Sequence, residues 1–333
     1  MAWLLPNRII KVFLQLRLAI WITYFRNGSG SWIFNDIRKW FTLSLIFPPL
    51  LLLLDIPPNA FLPAFIPARI DHIKSVFAIE LIASVGFLFG FLGSPLSYHS
   101  PDRDTVTISQ HLLIIMYLAP RFNHAVIGPL RARQLSPKSE TISVIYNSFY
   151  NIVLGFLIGA FLASPLVKAT LSGLSLRFLF GFAIWALGFK GKLMHDEILL
   201  NIERRAISRA KDGEEGSEVK ELHATIPQGV MFQYVSFPNL FCELVQWLGF
   251  AIVSSPFPFD LSSILSLINL ANIVSVIQKP SYMFAPHLSP SYVLFMAEAA
   301  MKIPRALNGH KRYRERFGPS YPTERKAIIP FVV

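Results

Sequence analysis

The apolar run at residues 76–93, VFAIELIASVGFLFGFLG, constrains this chain most, because a single charge, Glu80, interrupts it. About 20 apolar residues at 1.5 Å per residue cover the ~30 Å hydrocarbon core of a bilayer. A carboxylate within such a span costs at least ~2.5 kcal/mol, so it needs a cavity, a partner or a proton. The run therefore predicts a transmembrane helix whose acid lies in a buried pocket. A structural hydrogen bond between helices is the alternative.

The whole chain has the same apolar character. Of its 333 residues, 53% are hydrophobic and 15% are charged, whereas soluble domains carry about 25% charged residues. Because the apolar runs are continuous rather than alternating, we predict an all-α polytopic membrane protein. The predicted spans are residues 40–55, 76–93, 108–130, 145–167, 174–200, 238–255 and 291–304. The further apolar stretch at 261–279 is predicted to be a re-entrant or interfacial segment, which leaves a bundle of about seven transmembrane helices.

The positive charge of the chain lies between and after these spans. The net charge is +11, but the basic residues sit in loops and tails. This placement indicates the positive-inside rule and attraction to anionic lipid or a phosphorylated cofactor, rather than nucleic acid. The loops after the third and fifth spans are basic, and 203–221 is predicted to be a charged soluble loop. We expect these loops and the C-terminal tail to be cytosolic.

The N-terminal segment differs from the rest. Lys11 and Arg17 interrupt its apolar run, which is typical of an amphipathic helix in the membrane interface. We therefore divide the chain into an interfacial segment, 1–38, and a membrane domain, 39–333.

Several kinds of site are excluded by the residues present. The single cysteine, Cys242, cannot form an intrachain disulfide, and no Cys/His cluster has metal-ligand spacing, so no metal is expected. There is no Walker loop and no GxGxxG motif after a strand, so a nucleotide site would be neither P-loop nor Rossmann.

The sixth span carries a second set of polar residues. Asn239, Glu243 and Gln246 are spaced at i, i+4 and i+7, which places them on one helical face. A solvated face would show the same spacing, but the neighbouring residues are apolar, so we predict a buried polar seam. We expect Glu80 and Glu243 to meet in one intramembrane chamber.

The C-terminal third resembles a known family. Residues 226–247, IPQGVMFQYVSFPNLFCELVQW, closely resemble the signature of the steroid 5α-reductase family, and the ordered match covers about residues 190–333. Upstream, FAIELIASVGF is similar to the glutamate-bearing helix of that family, and PLRAR at 129–133 to the segment after its third span. The tail matches at Arg305-Ala306, His310-x-x-Tyr313-x-x-x-Phe317, Tyr321-Pro322-x-x-Arg325 and Ile329-Pro330-Phe331.

The resemblance implies a multi-pass enzyme of the endoplasmic reticulum membrane. It would use NADPH to reduce the Δ4 double bond of a 3-oxo steroid or a related enone, a hydrophobic small-molecule substrate taken up from the lipid. By position, Glu80 is the catalytic glutamate that meets the carbonyl oxygen of the substrate. The residues on cofactor-contacting or cofactor-bracing positions are Asp196, Asn239, Glu243, Arg305, Tyr313 and Arg325, with Lys192 among their neighbours.

The chain departs from the family pattern around the glutamate. Arg121 stands where the family has a tyrosine, His124 replaces a usual arginine, and Lys192 replaces an asparagine. A cation beside Glu80 would favour the ionised carboxylate, which cannot donate a hydrogen bond. Arg121 therefore either turns away from Glu80 or takes over the electrophilic role itself. These departures indicate a divergent member acting on a non-standard steroid or terpenoid.

Three alternatives stay open at this point. The same scaffold suits an enoyl reductase acting on fatty acyl or polyprenoid chains. Glu80 could instead shuttle a proton in a cofactor-independent double-bond isomerase. A non-catalytic membrane protein that kept the scaffold is the third, and the intact Glu80, Asn239 and Tyr313 argue against it.

Overall fold

The computed structural model describes residues 29–47, 49, 69–97, 106–131, 138–171, 175–210, 225–258 and 270–332. Most of this part of the chain is helical, as predicted. The predictions for residues 1–28, for residue 48 and residues 50–55 of span 40–55, for most of the charged loop 203–221 and for residues 259–269 lie outside the described residues. The helices are α1 Ser29–Ser44, α2 His72–Gly93, α3 Ile108–Phe122, α4 Gly128–Arg131, α5 Thr141–Leu162, α6 Pro165–Thr170, α7 Leu176–Ala210, α8 Pro238–Ser254, α9 Leu270–Gln278 and α10 Pro290–Phe317.

Capping side chains and prolines begin the helices that carry the site residues. The side chain of Asp71 caps α2 by accepting from the backbone N–H of Lys74, and Thr107 and Gln110 form a capping box at the start of α3. Both α8 and α10 begin with a proline, which is favoured in the first turn because its missing N–H would be unpaired there anyway. Strands β1 Arg69–Asp71 and β2 Lys138–Glu140 pair antiparallel and hold the starts of α2 and α5 together.

Glycines allow α2 and α5 to pack backbone against backbone. A Cβ added at Gly90 of α2 would lie 2.9 Å from the backbone nitrogen of Ala160, and one at Gly159 of α5 would lie 2.8 Å from that of Phe91. Small residues at such a contact are typical of helix pairs in membranes. These two helices are also the described helices that are long and apolar enough to cross a bilayer. The number of further crossings stays a prediction.

A second close pair is formed by α7 and α8. A Cβ at Gly188 of α7 would lie 2.7 Å from the carbonyl oxygen of Cys242, and one at Gly249 of α8 would lie 2.7 Å from that of Gly181. Helix α10 packs against the other side of α8. The residues that the sequence placed in the sixth span therefore lie between two other helices.

The core joins these pairs, while apolar side chains also face outward. Phe87 of α2, Tyr117 of α3 and Phe250 of α8 are almost completely buried in one cluster. On the outer face of α2, Phe77 and Val85 are about half exposed, at 49% and 53%. An apolar outer surface of this kind suits contact with lipid.

The structure modifies one feature of the predicted organisation. Helix α7 continues to Ala210, so residues 203–210, predicted as loop, are helical instead. Arg204 explains the extension, because its guanidinium bonds Glu197 at 2.8 Å on the same helix and the carbonyl oxygen of Arg131 at 3.2 Å. Helix α1 runs without interruption through residue 38, where the two predicted domains meet. The division into 1–38 and 39–333 stays a prediction.

Candidate active site

Glu80 lies on the inner side of α2, and both of its carboxylate oxygens are bound. The Nη1 of Arg121 donates to Oε2 at 2.9 Å, and the Nδ1 of His124 donates to Oε1 at 3.0 Å. The Glu80 side chain is only 13% exposed. The acid of the second span is therefore in the protein interior, with its partners supplied by the third span.

Arg121 points inward, and three helices meet at its guanidinium. Besides Glu80 of α2, Nη1 also donates to the Oδ1 of Asn151 in α5 at 3.1 Å. The guanidinium lies 4.6 Å from the ring centroid of Tyr117, one turn earlier on α3. An arginine stays protonated in proteins, so its charge favours ionised Glu80. Of the two possibilities left open by the sequence, the one in which Arg121 turns away does not occur in this structure.

An irregular turn brings His124 to the same carboxylate. Pro120 lies near the end of α3, and a π-helix, Asn123–Ile127, follows directly and carries His124. A π turn takes one more residue than an α turn and therefore changes which side chains share a face. As a result Arg121 and His124, three residues apart, bind the two different oxygens of Glu80.

Buried polar atoms without partners surround this ion pair. In the described part of the chain, the hydroxyls of Tyr117 and Tyr150 and the Nε of Arg121 are buried and make no hydrogen bond. Such groups are costly unless a ligand or water satisfies them. Sequence reasoning missed Tyr117, although its spacing of four residues from Arg121 placed both on one face of α3.

The residues predicted to bind the cofactor form a second cluster, between α7 and α8. Lys192 donates to the Oδ2 of Asp196 at 2.7 Å, and the Nδ2 of Asn239 donates to the other oxygen, Oδ1, at 3.1 Å. The Oδ1 of Asn239 is buried without a partner among the described residues. Three of the predicted cofactor residues are thus brought together.

Glu243 belongs to a third cluster, between α8 and α10. Its Oε1 lies 3.2 Å from the Nζ of Lys302, which also pairs with Glu298 one turn earlier on α10. Sequence reasoning missed Lys302 and Glu298, although their i, i+4 spacing within an apolar span was a signal. The buried seam of α8 is confirmed, since Gln246 has no exposed surface, but Asn239 bonds to α7 and Glu243 pairs with α10.

Electrostatic interactions connect the clusters. The charge of Glu243 interacts with Lys192 and with His124, and the charge of Glu298 interacts with Arg121. The pair around Glu80 and the clusters on α7, α8 and α10 therefore lie within electrostatic range of one another.

The remaining predicted cofactor residues lie on the tail. The ring of Tyr313 stacks between those of Phe237 and Tyr321, with centroids 5.5 Å and 5.8 Å away. Arg325 is buried, with its guanidinium carbon 5.2 Å from the Tyr321 ring centroid, and Arg305 is exposed. Burial raises the pKa of the Tyr313 phenol, and Tyr321 adds to the effect.

A polar contact fixes the tail to the segment before α8. The hydroxyl of Ser236 lies 2.6 Å from the Nδ1 of His310 and 2.6 Å from the hydroxyl of Tyr321. The backbone N–H of Ser236 also donates to the carbonyl oxygen of Lys326 at 2.8 Å. Burial lowers the pKa of His310, and nearby cations on the tail lower it further. The aromatic stack and Asn239 are thereby held at the same end of α8.

His195 and Cys242 make structural contacts near the second cluster. His195 donates from Nδ1 to the carbonyl oxygen of Gly191 at 2.6 Å and accepts the N–H of Met231 at its Nε2, at 3.3 Å. Cys242 is buried beside it, with Sγ 3.8 Å from His195. Within the described residues, no group of three His, Cys, Asp or Glu side chains could hold a metal ion.

The polar atoms present fit a nicotinamide dinucleotide. The free Oδ1 of Asn239 can accept from an amide, and the Nε of Arg325, buried without a partner in the described part of the chain, can donate to a phosphate or hydroxyl. The exposed guanidinium of Arg305 is suited to a phosphate, which arginine binds in a bidentate manner.

Comparison with known proteins identifies the family of this chain. The model of the family described as 3-oxo-5-alpha-steroid 4-dehydrogenase matches residues 137–274 and 271–333. The chain belongs to this family. The match begins well before residue 190, where the recognisable signature begins, so it includes α5 and the whole of α7 as well as the cofactor residues. Glu80 and Arg121 lie upstream of it.

Three individual relatives are 26–32% identical to this chain over the aligned residues. An uncharacterized protein of Schizosaccharomyces pombe is 29% identical over 265 residues, which cover 77% of this chain and 82% of that protein. A steroid 5-alpha-reductase of Solanum lycopersicum is 26% identical over 223 residues, covering 66% and 68%. A very-long-chain enoyl-CoA reductase of Dictyostelium discoideum is 32% identical over 108 residues, covering 32% and 25%.

Proposed function

We propose that this protein is a membrane-embedded, NADPH-dependent reductase of a carbon–carbon double bond conjugated to a ketone. Its substrate would be a 3-oxo-Δ4 steroid or a related terpenoid that enters from the lipid. The proposal places it in the endoplasmic reticulum membrane with the C-terminal tail in the cytosol. The observation that carries the proposal is the interior ion pair of Glu80 and Arg121, which faces the clusters of the matched C-terminal region.

Conjugate reduction sets two requirements. When bound, the reduced nicotinamide supplies a hydride to the β-carbon, and negative charge then develops on the ketone oxygen. A preorganised donor at that oxygen contributes about 3–4 kcal/mol to catalysis. Because ionised Glu80 can only accept, we assign the donor role to Arg121, whose Nε is buried without a partner among the described residues. Glu80 and Asn151 orient the guanidinium.

The cofactor residues would act at the other side of the interior. Lys192 and Asp196 hold Asn239 so that its free Oδ1 can accept from the carboxamide of the cofactor. Arg305 and Arg325 would bind the phosphates. Tyr313 and the rings stacked on it would exclude water from that end, while Glu243, fixed by Lys302, would shape the pocket between the two sides.

The decisive experiment expresses the wild type and two variants in microsomes with a panel of 3-oxo-Δ4 steroids, with and without NADPH. Glu80→Gln should lower kcat/KM by about 10²–10³-fold, as loss of a group that holds an electrostatic donor does. Glu315→Gln makes the same change at an exposed acid on α10 and should behave as wild type. Cofactor-dependent turnover that Glu80→Gln leaves at the wild-type rate would contradict the assignment of Glu80.

Reduction of an enoyl thioester is the second candidate, and the similarity to the Dictyostelium discoideum enoyl-CoA reductase favours it. A trans-2-enoyl-CoA and a polyprenoid enone in the same panel distinguish the two substrates. Turnover without NADPH, with the double bond moved rather than reduced, would identify an isomerase instead.

A further inference from the structure

We infer that His124 is the acid that protonates the substrate after hydride transfer, an inference that rests on the proposed reductase function. Its Nδ1 binds Glu80 at 3.0 Å, yet its side chain is 53% exposed. The two other members of this group, Glu80 and Arg121, are 13% and 6% exposed. His124 therefore touches the buried acid while about half of its side chain stays accessible to a substrate or water.

The backbone at His124 is a second, independent observation. The residue lies in the π-helix Asn123–Ile127, which interrupts the run from α3 to α4. Such turns are rare, cost hydrogen-bond geometry and occur frequently at functional sites. Here the turn has a specific effect, because it presents His124 to the same carboxylate that Arg121 binds.

The charges around His124 place it between the substrate side and the cofactor side. From α2 it is faced by Glu80 and His72, from α3 by Arg121, and from α8 by Glu243. Arg305 of α10 lies within electrostatic range of His72. One of the two carboxylates, that of Glu80, is in direct contact with the ring, and the imidazolium is the form of histidine that can give up a proton.

Neither of the two charged groups beside His124 supplies that proton. Arg121 does not deprotonate in proteins, and Glu80 beside it is held as the carboxylate. Histidine is the side chain suited to give and take protons near neutral pH. His124 is the histidine in contact with Glu80.

The reduction consists of two transfers, first of a hydride and then of a proton. The hydride forms a C–H bond at the β-carbon, the electron pair of the double bond moves to give an enolate, and the reduced nicotinamide loses two electrons. The N–H bond of the His124 imidazolium breaks and its proton goes to the enolate, which becomes the saturated ketone. Neutral His124 then takes a proton from water, and Glu80 holds the ring in place throughout.

The test compares kcat between pH 6 and pH 9 for the wild type, His124→Gln and His124→Arg. Glutamine can still donate to Glu80, and arginine keeps the cation, but neither releases a proton. Both should lower kcat by about 10²-fold or more while KM changes little, as loss of a general acid does. Wild-type kcat should fall as the pH rises, and this fall should be absent in both variants.

His111→Gln is the matched control, because His111 is also on α3 and is exposed, with its Nδ1 bound to the carbonyl oxygen of Thr107 at 2.9 Å. It should keep the wild-type rate and pH profile. Full activity of His124→Arg, or an unchanged pH profile in His124→Gln, would overturn the inference. If the wild type still turns over substrate with NADPH in that case, only the assignment of His124 is contradicted. Absence of cofactor-dependent turnover in the wild type would instead overturn the reductase proposal, and this inference with it.

A variant that failed to fold is recognised because it shows no shift in Tm when substrate is added. Both His124 variants should keep a wild-type shift on adding the enone, because the ketone contact belongs to Arg121. Loss of that shift in both variants, with folding retained in the absence of substrate, would show that His124 binds the substrate rather than protonates it and would overturn the inference.

Discussion

At the scale of single residues, the site depends on where one cation points. Arg121 stands where the related enzymes are expected to have a tyrosine, and the structure turns it toward Glu80 rather than away from it. In the function proposed above, this exchange makes the acid of the second span an acceptor rather than a donor. The hydrogen-bond donors at the site then become Arg121 and His124, and a tyrosine on the same helix, Tyr117, lies beneath the guanidinium.

Removing this cation should destabilise the fold more than removing the whole pair. Arg121→Met leaves a buried carboxylate held only by His124, and breaking a buried pair in this way costs about 3–5 kcal/mol. The double variant Arg121→Met with Glu80→Gln should recover much of that loss. Thermal unfolding of the detergent-solubilised protein measures the cycle. Equal destabilisation in the single and double variants would show that the ion pair is not the source of the effect.

At the scale of elements, the site depends on how closely two helices approach. Glu80 and Asn151 both contact Arg121 because α2 and α5 pack at their glycines. The ion pair is therefore a consequence of backbone packing as well as of side-chain charge.

A methyl group at this contact should separate the helices. In Gly90→Ala the added Cβ would lie 2.9 Å from the nitrogen of Ala160, and overpacking of this kind costs about 1–3 kcal/mol. We expect a lower Tm and a lower kcat together. In the control Gly128→Ala the added Cβ meets only the carbonyl oxygen of Asn123, at 3.4 Å, and the loss should be smaller. Unchanged stability of Gly90→Ala would mean that the helices can move apart without cost.

At the scale of the whole molecule, the tail is joined to the segment before α8 through a histidine whose pKa is lowered. His310 is held beside Ser236 and Tyr321, and burial together with Arg314, Arg325 and Lys326 lowers its pKa. The unfolded chain therefore binds a proton more readily than the folded one between the two pKa values. The contribution of His310 to stability is therefore full above the pKa of about 6.5 that it has in the unfolded chain, and it is lost as the pH falls below that pKa.

This dependence can be measured directly. The Tm of the wild type should fall between pH 7.5 and pH 5.5, and the fall should be smaller in His310→Gln. The same substitution at His287, which lies outside this junction, provides the control. An identical fall in wild type and His310→Gln would assign the pH sensitivity to other groups.

The outline of the molecule follows from its sequence, whereas its internal pairings do not. The apolar runs around Glu80 and at 145–167 correspond to α2 and α5, and the spacing of Asn239, Glu243 and Gln246 correctly predicted a buried face. Periodicity identifies a face but not the helix opposite it, so the partner of Glu243, Lys302, could not be found in this way. The π-helix was equally out of reach, because it depends on tertiary contacts rather than on local preference.

The way the first helix is anchored bears on how the protein is made. Arg38 of α1 donates to the carbonyl oxygens of Phe284, Ala285 and Leu288, at 2.7–2.8 Å, so its acceptors lie about 250 positions later in the chain. At ~5–20 residues per second, a ribosome needs roughly 12–50 s to produce them. During that interval the guanidinium has to remain near the aqueous boundary or bind another acceptor. A chain whose synthesis stops before residue 284 would therefore carry this cation without the carbonyl oxygens that bind it in the finished fold.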